Sequence, residues 1–344
     1  MNSGQATFTS ATADFETAVR ARDAHASGVA FGRLQETFQT ADDGELAAVA
    51  PRLAALAPEV PLGPRSVVAV VVGAAVERGA DPAACAPNVL AGLGEALAAA
   101  EEFTARWAAT GGGDLPDPQR TNPEDAVFDR VGQPATEAWW TLPQWEMAAV
   151  AVLNHKAVRQ AVPDRSALID AAERLGDATG GGLKYLRYML AVLDDEPLVV
   201  LHRPTGTGYR LRISGLGDNF QLHTLLAAEL VGGGHLPGEA PAAPAAAVCR
   251  DASPGTPAPD TTGSFDLAAA DGTVIWNEGI PADIPPVDGV RVLVLDPPSY
   301  VRSWPAGRLF AGMPGEVALE AVLPPAEVAA WLARTSERPA AEVG

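Results

Sequence analysis

The chain has 344 residues, 47% of them apolar and 19% charged, and its 43 acidic side chains outnumber 24 basic ones for a net charge of −19. A chain this long and apolar buries roughly three quarters of its unfolded surface on folding, which argues against intrinsic disorder. The acidic excess runs through both halves and argues against a general grip on nucleic acid or on anionic lipid, since both need a basic surface.

At ~100–200 residues per domain the length predicts two domains. Met1 to Thr12 has neither the basic start nor the apolar core of a signal peptide, and no continuous apolar run approaches ~20 residues. The longest run, Val67 to Val76, reads as a core element, and the chain reads as cytoplasmic. Cys85 and Cys249 have neither zinc nor disulfide-framework spacing and read as free thiols in a reducing compartment. Lys156 and Lys184 are the only lysines. With abundant alanine, this bias is the one expected of a high-GC bacterium.

From Thr12 to Leu193 apolar residues recur at three and four, as in Phe15, Val19, Leu34 and Phe38, then Leu46, Val49, Leu53 and Leu56, which predicts helices. Asp42, Asp43 and Asp81 stand where N-caps belong, Pro82 at a first turn and Gly79 at a helix stop. Leu46 to Trp107 is similar to stacked armadillo or HEAT pairs, but no period is fixed, so an irregular helical bundle is expected. Beyond a polar break from Gly111 to Asp125, Trp139 to Val162 is the most apolar helix, with His155, Lys156, Arg159 and Gln160 as a narrow polar stripe. It is expected to be central, to bury Trp139, Trp145, Met147 and Leu153, and to use its tryptophans as core rather than as a ligand cage. Ser166 to Leu175 and Leu183 to Leu193 complete a helical domain over residues 1–195.

At Pro197 the period changes from 3.6 to 2. Leu198 to Leu201 and Tyr209 to Ile213 flank Pro204-Thr-Gly-Thr-Gly208, a hairpin pattern, and Asn219 to Val231 returns to helix. Gly232 to Gly263 is so rich in proline, glycine and alanine that it is expected to form a disordered, mobile loop, with Cys249 accessible in it. Short strands at Gly263–Leu267, Thr273–Trp276, Val290–Leu295 and Glu316–Val322 and a helix at Pro325–Arg334 follow, so residues 196–344 form a small α+β module and the whole is α+β.

The common catalytic signatures HExxH, CxxC pairs, GxSxG and the kinase HRD and DFG sets are missing, and the five histidines lack ligand spacing, so no metal site is expected. Gly176 to Tyr185 (GDATGGGLKY) opens a helix with glycines and Lys184 as a phosphate loop does, but the Walker spacing fails and a flexible helix start is the simpler reading. Ser214 to Phe220 (SGLGDNF) joins strand to helix as a nucleotide turn does, with Phe220 in place of the third glycine; a tight turn capped by Asp218 or Asn219 is the simpler reading. Val290 to Tyr300 ends in Asp296-Pro297-Pro298-Ser299-Tyr300, which resembles the D-P-P-Y loop of amino-methyltransferases, with Ser299 displacing the aromatic by one place. That resemblance implies an amine held by an acidic side chain and a backbone carbonyl, an aromatic ring stacked on it, and S-adenosylmethionine at the upstream glycine turn.

Polar residues at strand ends and helix starts of one small domain often converge. Asp218, His223, Glu278 and Asp296 are therefore the candidate catalytic group, and Gly215, Gly217, Asn219 and Tyr300 the candidate cofactor-binding group. Without a catalytic signature, the leading expectation is an intracellular binding or accessory protein for a protein or small-molecule ligand. The alternative is an enzyme acting on a small molecule or peptide through these residues, with S-adenosylmethionine-dependent methyl transfer as its sharpest form.

Overall fold

A computed structural model of the chain describes residues 7–336. The chain divides between Leu190 and Ala191 into two compact units, a helical one followed by a mixed α+β one.

Among the described residues ten α-helices build the first unit: α1 (Phe8–Arg20), α2 (Ala24–Phe38), α3 (Asp43–Leu56), α4 (Leu62–Glu77), α5 (Pro82–Ala109), α6 (Asp125–Val131), α7 (Gln133–Leu153), α8 (Lys156–Ala161), α9 (Arg165–Ala178) and α10 (Lys184–Leu190). Thr7, Asp23, Asp42 and Asp81 accept backbone N–H groups at the starts of α1, α2, α3 and α5, meeting donors that a helix start leaves unpaired. Asp43 is not a cap but the first residue of α3. Helix α7 is the centre of the unit, and Trp139, Trp145 and Leu153 on it are fully buried. Two glycines let neighbouring helices reach it. A Cβ on Gly73 of α4 would sit 3.1 Å from the Ala151 methyl, and one on Gly92 of α5 would collide with the Trp145 ring. Phe103 stacks on Trp139 at 4.9 Å, so the tryptophans serve the core.

Two sequence expectations fail along this helix. The chain turns at Asn154, so the stretch from Trp139 to Val162 is two helices, with His155 as the N-cap residue of α8. Met147 lies on the outer stripe with Trp140 and Gln144 and is exposed, whereas Arg159, expected on a wet stripe, is buried. Its Nη1 turns back to donate to the carbonyls of Leu153 and Asn154 at 2.8 and 2.9 Å, closing the end of α7. Helix α5 is also longer than any continuous apolar run suggested: by length and composition it suffices to cross a membrane, and half of its apolar window is buried inside the structure.

The second unit holds β1 (Glu196–His202), β2 (Thr207–Ser214), α11 (Asn219–Leu230), α12 (Ala243–Arg250), β3 (Asp260–Thr262), β4 (Asp266–Ala269), β5 (Pro286–Val287), β6 (Val290–Asp296), β7 (Ser303–Pro305), β8 (Glu316–Val322) and α13 (Pro325–Leu332). The main sheet runs β4-β6-β1-β2-β8, with β5 on β6; β3 and β7 pair separately. β1 and β2 form the expected hairpin, Leu198 opposite Leu211, and β1 lies parallel to β6. Side-chain alternation sorts the sheet into two faces. Leu198, Val200, Leu211, Leu293 and Leu295 pack with Leu222, Leu225 and Leu226 of α11, while Val199, Leu201, Val292 and Val294 pack with Val328 of α13.

The segment 232–263, expected as a disordered loop, is largely built into this unit. It carries α12 and β3, and it buries Leu236, Ala245, Val248 and Cys249 in the α11 face. Two side chains tie it down: Tyr209 donates to the His235 carbonyl at 2.8 Å and Gln221 Nε2 to the Cys249 carbonyl at 2.7 Å. Composition predicted too little apolar area for order, but a short helix needs only one anchored face. Residues 251–259, mostly exposed and without helix or strand, are the remnant of the expected loop.

Candidate functional site

The eight residues singled out in the sequence do not form one cleft. Asp218 caps α11, accepting the Gln221 amide at 2.8 Å. Asp296 accepts from Arg203 Nε at 2.8 Å, and Glu278 is exposed. β1 is antiparallel to β2 and parallel to β6, so Gly215 and Gly217, after β2, lie at one end of β1, while Asp296, the last residue of β6, and Tyr300 beyond it lie at the other. Seven residues of strand, about 20 Å, separate those ends. The glycine turn is filled from within. Gly215 has φ +66° and a Cβ there would collide with the Pro314 carbonyl oxygen, and the Gly217 amide donates to Gln221 Oε1 at 2.9 Å. This turn leaves no cradle for a cofactor, and Tyr300 is exposed beneath the Arg302 guanidinium rather than over a pocket. The glycine turn and the Asp296–Tyr300 segment, in which the aromatic is displaced by one place, thus stand at opposite ends of the sheet.

Two of the eight, Asn219 and His223, do meet, one turn apart on the inner face of α11. Asn219 donates from Nδ2 to the Trp276 carbonyl at 2.8 Å, and its amide donates to the Gly279 carbonyl at 2.9 Å. His223 Nε2 accepts the amides of Ser264 and Phe265 at 2.9 and 3.4 Å. Its ring stacks on Phe265 and meets Trp304 edge-on at 5.0 Å. Burial is the main cause that pushes the imidazole down to about 4, and the nearby Arg302 guanidinium adds to it; Asn277 and Asp266 pull the other way. The ring is therefore neutral at pH 7. Since Nε2 is an acceptor, its proton sits on Nδ1.

Around it the polar groups are closed in but incompletely paired. Asn219, His223 and Asn277 are each at most 1% exposed. Asn219 Oδ1, His223 Nδ1, both polar atoms of the Asn277 side chain and Arg302 Nε have no hydrogen-bond partner in the protein. Asn277 is near enough to His223 to favour its charged form, yet no well-formed bond closes on Nδ1. Arg302 holds the Phe265 carbonyl at 3.1 Å and lies 3.6 Å from Asp266, itself buried and accepting the Ser299 amide. Asn277, Asp266 and Arg302 were missed in the sequence. No local period marks Asn277, which lies in a turn closed by the Gly279 amide donating to the Trp276 carbonyl at 3.1 Å.

The helical unit contains a separate cavity of about 460 Å³. Asp114, Asp117 and Glu146 stand in its wall with Gln119, Trp139, Leu142, Pro143, Thr179 and Gly182, and none of its lining residues is Lys, Arg or His. Burial raises the Glu146 carboxyl above its ordinary range, opposed by the amides of Leu186 and Tyr185; Leu186 donates to Oε1 at 2.9 Å. Asp117 accepts the Gln119 amide at 2.8 Å and lies 3.4 Å from the exposed Arg120. Of the GDATGGGLKY segment, Ala178, Thr179, Gly182 and Leu183 line this cavity, whose acidic wall repels rather than attracts a phosphate. Among the described residues no group of three His, Cys, Asp or Glu side chains is placed to hold a metal ion. No protein-family model, no curated protein and no solved structure matches this chain.

Proposed function

We propose that this chain is a binding protein for a small organic cation, held in the cavity of the helical unit. The observation that carries the reading is the wall of that cavity: three carboxylates, one of them desolvated, beside apolar surface and without a basic side chain. A concave site with a few convergent polar groups and a perturbed titration is the general form of a ligand site. An ammonium or guanidinium group gains from Asp114 and Glu146 at reduced dielectric and competes with the exposed Arg120 for Asp117, whereas an anion is repelled. Acid–base catalysis in the α+β unit gains no support, because Asp218, Asp296 and Glu278 are a cap, an ion-pair partner and an exposed side chain, and His223 is sealed.

The test is thermal stabilisation across a panel of polyamines, guanidines, choline and S-adenosylmethionine, with citrate and ATP as anionic controls. A ligand at 100 times its dissociation constant adds about 2.7 kcal/mol, a readily measured rise in melting temperature. Cations should raise it, and Glu146→Gln and Asp117→Asn should weaken that response at least about tenfold. Stabilisation by the anions, or by no cation, overturns the reading. Stabilisation by S-adenosylmethionine that survives Glu146→Gln but not Tyr300→Ala restores methyl transfer.

A further inference from the structure

Among its described residues the α+β unit has five unpaired, buried polar atoms on four side chains from three separate segments: Asn219 and His223 lie one turn apart on α11, and Asn277 and Arg302 both act on His223. Native interiors pair the large majority of such groups, so each exception requires an account. Leaving a buried polar group unpaired costs its full desolvation, and a node with several would be eliminated unless something completes it.

The inventory defines the missing partner. His223 Nδ1–H, the Asn277 amide nitrogen and Arg302 Nε–H are donors; Asn219 Oδ1 and Asn277 Oδ1 are acceptors. The partner must accept and donate. It must also be uncharged: His223 is neutral, and the two charges present, Arg302 and Asp266, already face each other at 3.6 Å. An anion would meet both amide oxygens, and a cation would meet three donors. Size is limited because Asn219, His223 and Asn277 are sealed behind the Trp276–Gly279 turn, which Asn219 pins through two hydrogen bonds.

We propose that Asn219, His223 and Asn277 form an internal binding site for a small neutral guest that both donates and accepts hydrogen bonds, with the Trp276–Gly279 turn as its cover. Ordered water and a hydroxyl- or amide-bearing small molecule share this chemistry. The site lies in the α+β unit and stands or falls independently of the helical cavity.

A high-resolution crystal structure of the purified protein tests it directly. Density within hydrogen-bond reach of His223 Nδ1 and Asn219 Oδ1 is the expected result. Isolated single-atom peaks identify water; bonded atoms, matched by a molecule released on denaturation and weighed by mass spectrometry, identify a ligand. Either supports the site. A direct bond between His223 Nδ1 and Asn277 Oδ1 with no further density overturns it. Asn277→Leu gives a second readout that needs no crystal. If the node is dry, removing two unpaired atoms raises the melting temperature, which overturns the proposal; if a guest is bound, the variant loses a partner for it and melts several degrees lower.

Discussion

The two units treat buried polar groups in opposite ways. In the helical unit they are returned to the nearest backbone: Thr12 donates to the Phe8 carbonyl, Ser66 to that of Gly63, Thr136 to that of Gly132, and Arg159 closes the end of α7. Among the described residues of that unit three buried side-chain atoms remain unpaired, on Gln144 and Trp145 of α7 and on Asn154 just after it. In the α+β unit five such atoms gather in one place, contributed by α11, the Trp276–Gly279 turn and the strand-leading Arg302. The first pattern is what a chain does to hold a shape. The second concentrates a local cost, which natural folds tolerate at sites that bind something.

The largest test of this contrast is Trp145→Ala. Its ring fills the space that Gly92 leaves open and is fully buried, so truncation should cost about 3–5 kcal/mol in chemical denaturation of the helical unit. A loss under about 1 kcal/mol would mean that apolar packing around α7 is not what holds that unit.

The next largest effect is a pH dependence. Folding holds His223 neutral, with its titration moved from 6.5 down to about 4, so the unfolded chain binds this proton more readily. The resulting stability is fully present above about pH 6.5 and declines as pH falls toward 4, by about 3 kcal/mol in all. His223→Gln should remove that slope from the wild-type curve. Parallel curves for the two proteins would show that the ring is not held neutral.

Arg159→Ala should cost about 2 kcal/mol, since two carbonyls at the end of α7 lose a charged donor inside the fold. Arg159→Met, which keeps the stem, should recover little of it. The smallest expected effect is at the thiols. Burial pushes Cys85 up to about 11 and raises Cys249, and both are buried, so a thiol reagent should label neither in the native protein. Rapid labelling of Cys249 alone would return α12 to the mobile state its composition suggested.

What was legible in the sequence was local. The change of period at Pro197, the hairpin of Leu198 with Leu211, the caps at Asp42 and Asp81, and the pairing of Asn219 with His223 on one helix face follow from spacings of two to four residues or from neighbouring strands. The break at Asn154 was not legible, because neither glycine nor proline marks it and the apolar pattern continues across it. Asn277 and Arg302 reach His223 from distant segments, and no local period records such a meeting. The anchoring of 232–263 was hidden for the same reason, as Tyr209 and Gln221 supply the ties from outside the segment.

The central strand β1 also has consequences for how the molecule assembles in time. Its partner on one side, β2, arrives through a four-residue turn, whereas β6 on the other side is far along the chain: Arg203 and Asp296, paired just past the strand ends, are 93 positions apart. Loop closure over that span is slow compared with hairpin formation. The hairpin is therefore expected to form first, with one edge of β1 open until β6 docks. Since His223 receives its backbone partners from the residues just before β4, and β4 pairs with β6 besides bridging Val274, closing the polar node depends on contacts between segments distant in sequence.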